Sequence, residues 1–64
     1  MNPDCVAALN AAAGWLDAVD RYRMRGQEPP PDVEERWHRA YDELRDHGVT
    51  YLQVVEFLSA RKAG

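Results

Sequence analysis

The chain has a single cysteine, Cys5, and so cannot close an internal disulfide. Its two histidines, His38 and His47, stand apart from that cysteine, which leaves no cysteine–histidine cluster of the kind that holds structural zinc. No apolar run approaches the 18 or so residues needed to cross a bilayer. The first residues, Met1-Asn2-Pro3-Asp4, carry neither a basic segment nor an apolar signal core, so a cytoplasmic protein is the expectation. Also missing are a glycine-rich phosphate loop and a serine-nucleophile motif, and no two carboxylates stand out as an acid–base pair. Neither an enzyme nor a cofactor is therefore expected, and no catalytic or metal-binding residue is assigned. Positive charge is in short supply too. Eight basic against eleven acidic side chains give a net charge of −3, which argues against nucleic acid or an anionic membrane as the main partner.

What remains is 64 residues, 45% of them hydrophobic, with two Trp, three Tyr and one Phe. That is one small domain, 1–64, with enough aromatic bulk to fold. A chain this short buries only about 60% of its unfolded surface. Without disulfide or metal it depends on efficient helix packing or on another chain.

The pattern is that of an all-α, small three-helix bundle. Asn2 followed by Pro3 starts a helix, with Asn2 as cap, Pro3 at the first helical position and Asp4 in the first turn. This helix runs over about 3–25 and stops at Gly26. Val6, Leu9, Ala13, Leu16 and Asp20 form one row along it; Cys5, Ala8, Ala12, Trp15, Val19 and Tyr22 form the next. The thin run Ala11-Ala12-Ala13-Gly14 predicts a close helix crossing at Gly14, and Cys5 reads as a small buried hydrophobe. Gly26-Gln27-Glu28-Pro29-Pro30-Pro31 is a stiff linker.

A second helix follows over about 31–46, opened by Pro31 itself or capped by Asp32. Val33, Trp37, Ala40, Tyr41 and Leu44 make its apolar stripe, with a Glu35–Arg39 pair on the far side. Trp37 belongs to the intramolecular core. Glu34, His38 and Asp42 share a face with metal-ligand spacing, but no second cluster supplies further ligands. Gly48 ends this helix, and Thr50 with Gln53 forms a capping box for the third, over about 51–62. That last helix is crowded with Tyr51, Leu52, Val54, Val55, Phe57 and Leu58.

Unequal lengths sharpen the functional expectation. The first helix is about 34 Å long and the third about 18 Å, so the short one covers only part of the long one. Trp15, Val19, Tyr22, Leu52 and Val55 are the candidate anchors of an interaction surface, and Arg21 and Arg25 its candidate charged contacts. Asp17 and Asp20, with Arg21, read as a cleft lining or as surface ion pairs. The expectation is a non-catalytic protein–protein interaction module, an adaptor or regulator that forms a homodimer or binds another protein.

The alternative lies in residues 44–58, Leu44-Arg45-Asp46-His47-Gly48-Val49-Thr50-Tyr51-Leu52-Gln53-Val54-Val55-Glu56-Phe57-Leu58. This stretch resembles the turn and second helix of helix-turn-helix DNA-binding proteins. The resemblance implies Gly48 in the turn, Val49 packed behind it, Thr50 as cap, and Val54 and Phe57 as core contacts. Gln53, Arg61 and Lys62 would then be the DNA-contacting residues. A reading helix would, however, present Tyr51, Leu52, Val55 and Glu56 outward, with no Arg, Asn or Lys to meet base edges.

Overall fold

A computed structural model describes residues 2–63. Among them the chain forms three helices and no strand: α1 (Pro3–Met24), α2 (Pro31–Asp46) and α3 (Tyr51–Ala63). Each boundary is built by local chemistry. Asn2 has extended backbone angles, and its Oδ1 accepts a hydrogen bond from the Asp4 N–H at 2.8 Å. One of the donors left over at the helix start is thereby satisfied.

Both α1 and α2 end in the same left-handed glycine turn. Gly26 has φ +72° and Gly48 φ +78°, a backbone region that side-chain-bearing residues rarely enter. At the first turn the Gln27 N–H reaches back to the Tyr22 carbonyl at 2.9 Å and the Gly26 N–H to that of Arg23 at 3.0 Å. At the second, the Val49 N–H reaches the Leu44 carbonyl at 3.0 Å and the Gly48 N–H that of Arg45 at 3.0 Å. These paired bonds satisfy carbonyls that the helix itself leaves free. Val49 is half-buried against the core, where it completes the apolar closure of its turn.

Pro31 is the first residue of α2, and Pro30 takes the cap position without a side-chain bond. Of the two starts compatible with the sequence, the proline start is the one adopted. At α3 the Thr50 N–H donates to Gln53 Oε1 at 2.8 Å, and the Gln53 N–H donates back to Thr50 Oγ1 at 3.3 Å. The capping box is closed in both directions.

The long α1 is the organising element, and α2 and α3 both pack on it. Ala8, Leu9, Ala12, Ala13, Leu16 and Val19 of α1 meet Trp37, Ala40 and Leu44 of α2 and Val54 and Leu58 of α3. Both rows of α1 thus enter the core, and no polar or charged side chain among the described residues is buried there. Cys5 is buried, as its place on the apolar row implies. α2 and α3 meet chiefly through aromatic rings. Trp37 and Tyr41, four residues apart, are stacked at 5.4 Å between centroids. Tyr51 stands edge-on to both, at 6.0 and 6.2 Å. With two helices laid on a third, the molecule is flattened to 35 × 26 × 16 Å.

One packing expectation is corrected. Gly14 does not sit at the close crossing: it is exposed, and a Cβ placed on it would meet nothing within 4 Å. The thin face that lets the helices approach is made by Ala8, Ala12, Ala13 and Ala40, each of which is buried.

Candidate functional site

The candidate anchors of α1 are largely used within the chain. Val19 has no exposed surface at all, which removes it from any interaction surface of the folded monomer. It belongs to the buried cluster that α1 forms with Trp37, Ala40 and Leu44 of α2 and Val54 and Leu58 of α3. Trp15 is half-buried against the core, and the Arg36 guanidinium of α2 lies 5.3 Å from its ring centroid. Tyr22 is half-buried with Arg25 at 5.0 Å over its ring. Such contacts use the ring face that a partner's cation would otherwise take.

The charged candidates are similarly engaged. Arg25 covers Tyr22, while Arg21 pairs with Asp17 at 3.2 Å on the same helix. Asp17 is drawn into a second contact as well. Its side chain is 21% exposed and also faces Lys62 of α3, whose Nζ lies 2.8 Å from Oδ1. That oxygen is enclosed, and the Lys62 ammonium is the cation held closest to it. The close Lys62 ammonium is the largest influence on Asp17, and it holds the carboxyl below its ordinary range. Partial burial pushes the other way, and Arg21 adds to the lowering.

The three residues of the DNA-binding alternative all have intramolecular partners. Gln53 is spent in the capping box, Arg61 lies 6.0 Å from the Phe57 centroid, and Lys62 sits on Asp17.

The N-terminal half of α3 is different. Leu52 is 64% exposed and Tyr51 46%, and Val55 beside them is half-buried. Residues 51, 52 and 55 are consecutive and one turn apart, so they share one side of the helix. The capping box fixes where this helix begins, and the Trp37–Tyr41 stack supports Tyr51 from behind. Leu52 and Val55 therefore stand as an apolar pair on a rigid turn, with Tyr51 as a neighbour that periodicity alone did not single out. Its seat against Trp37 and Tyr41 is a tertiary contact between α2 and α3, which the spacing of residues along the chain does not encode. Met24 is more exposed still, at 84%, but it stands alone at the end of α1. Lone surface apolar residues are ordinary.

A shallow concavity of about 350 Å³ opens on another part of the surface. Asp4, Ala7, Ala8, Ala11, Glu43 and His47 line it where the start of α1 passes the end of α2. No three His, Cys, Asp or Glu side chains among the described residues are grouped to hold a metal ion, the Glu34–His38–Asp42 face included. No described helix is long and apolar enough to cross a membrane. No protein family, curated protein or solved structure matches the chain.

Proposed function

We propose that the chain is a small, non-catalytic interaction module of the cytoplasm, an adaptor or regulator that associates with a second copy of itself through the first turns of α3. The observation that carries this reading is the exposure of Leu52 beside Tyr51 and Val55. Elsewhere the core closes over its large apolar side chains with few exceptions.

Symmetry supports the second copy as occupant. In a two-fold contact the same patch meets itself, so any charge at its centre would face its own kind. Tyr51, Leu52 and Val55 bring none. The chain as a whole carries −3, which favours an apolar rather than an electrostatic self-contact. Size argues in the same direction, because a short chain has much to gain from covering an apolar turn it cannot cover itself. The intramolecular engagement of Gln53, Arg61 and Lys62 weighs against the DNA-reading alternative.

The test is Leu52→Asp. With Leu52 mostly in solvent, the variant keeps its helical content while its solution mass falls from dimer to monomer. A variant that associates as the parent does would remove α3 from the interface.

A further inference from the structure

Among the described residues, four ion pairs form, and three of them stay inside their own helix: Arg21–Asp17 in α1, Arg39–Glu35 and Arg45–Asp42 in α2. The fourth, Lys62–Asp17, joins α3 to α1. Its position matters as much as its rarity. The beginning of α3 is fastened three ways: by the glycine turn that ties Val49 to Leu44, by the capping box, and by Tyr51 against the Trp37 and Tyr41 rings. The far end has less. After Leu58 every described residue of α3 is exposed, and α3 contributes only Val54 and Leu58 to the buried set against seven residues from α1. The last turn of α3 therefore rests on α1 through Lys62, and Lys62 closes on a carboxylate whose Oδ1 is enclosed.

We infer that α3 is a strap with a fixed and a releasable end: its C-terminal half undocks from α1 independently of the α1–α2 pair, and the Asp17–Lys62 contact is the catch that sets how often it does so. Two structural features allow this. The hinge end keeps its own fastenings when the far end lifts. And the α1–α2 packing, built on Trp37, Ala40 and Leu44 against α1, does not run through the last turn of α3. Regions with few buried apolar contacts and exposed backbone bonds open at lower free energy than the global transition. Release uncovers the part of the α1 apolar face that Leu58 covers. This inference concerns the monomer and does not depend on what the patch at Leu52 binds.

Asp17 is faced by Arg21 on its own helix and by Lys62 from α3, so the two cations are separable by substitution. The experiment is native-state amide hydrogen exchange, residue by residue, on the full chain at one protein concentration. Lys62→Met keeps the apolar stem and removes the charge at a side chain that is 55% exposed, so it folds even if Asp17→Asn does not. Both variants are expected to speed exchange about three- to fivefold at the amides of the last turns of α3, the effect of losing one partly exposed ion pair. Protection in α1 and α2 stays at the parent level, and the double variant adds little to either single one. Arg21→Met, which leaves the interhelical contact in place, produces no selective change in α3. Uniform acceleration in all three helices would overturn the inference, because the strap would then open only with the whole molecule. Unchanged exchange in α3 would overturn it as well, because the contact would then not be the catch.

Discussion

Lys62 Nζ lies 2.8 Å from Asp17 Oδ1, a contact that joins the last turn of α3 to the second half of α1. It brings together a cation and a carboxylate far apart in the chain, at a point where the apolar packing between those helices runs out. The consequence for pH has a definite sign. Because Lys62 and Arg21 lower the Asp17 pKa on folding, Asp17 contributes stability that is fully present above its unfolded value of 3.8. That contribution is lost as pH falls through the depressed folded value. Urea unfolding of the parent chain and of Asp17→Asn should therefore converge as pH drops from about 5 toward 2. A gap between them that stays constant over this range would remove the ion pair as a source of stability.

The two glycines with contrasting surroundings make a controlled pair. Gly14 is exposed in mid-helix with open space where a Cβ would go, so Gly14→Ala should stabilise the chain by about 0.4–1 kcal/mol. Gly48 has equally open space but φ +78°, so Gly48→Ala should destabilise by about 1–2 kcal/mol through backbone strain alone. Thermal unfolding reads both, with a shift of roughly 4–8 °C per kcal/mol expected at this size. Melting temperatures that move in the same direction would contradict the assignment of Gly14 to the open side.

Removal of the α3 cap offers a local test. Thr50→Ala takes away the acceptor for the Gln53 N–H and should cost about 0.5–2 kcal/mol. Gln53→Ala removes the reciprocal acceptor for the Thr50 N–H. Since the two side chains form one closed unit, their double variant should fall short of the sum of the single costs. Strict additivity in chemical denaturation would show that the box is not acting as a unit.

Burial separates two leucines of the same size. Leu16 is almost wholly buried in the core, and Leu16→Ala should cost about 2–5 kcal/mol, a large share of what a domain this small possesses. Leu52→Ala, measured at a dilution where the chain is monomeric, should change stability by less than about 0.5 kcal/mol. A comparable loss from both would mean that Leu52 has a covering that the monomer does not show.

The helix ends were legible in the sequence because their causes are local. Asn2 and Asp4, Thr50 and Gln53, and the glycines at 26 and 48 each act within a few residues, and the observed bounds depart from the expected ones by a single position. Which side of α1 is covered was not legible to the same depth. Trp15, Val19 and Tyr22 share a row, yet Val19 is sealed while the two aromatics stay half-buried under Arg36 and Arg25. That difference depends on the angle at which α2 and α3 cross α1, and periodicity carries no angle. Gly14 departs from expectation for the same reason: Ala12 and Ala13 beside it are buried in the core, and it is exposed. The Asp17–Lys62 contact and the seating of Tyr51 on Trp37 and Tyr41 are tertiary, and no spacing along the chain announces them.

The most direct test of self-association through α3 is the solution mass of the chain by sedimentation equilibrium over a hundredfold concentration range, paired with thermal unfolding at each concentration. The account predicts a monomer–dimer equilibrium, a melting temperature that climbs with concentration, and the loss of both in Leu52→Asp. A chain that stays monomeric with a constant melting temperature across the range would contradict it.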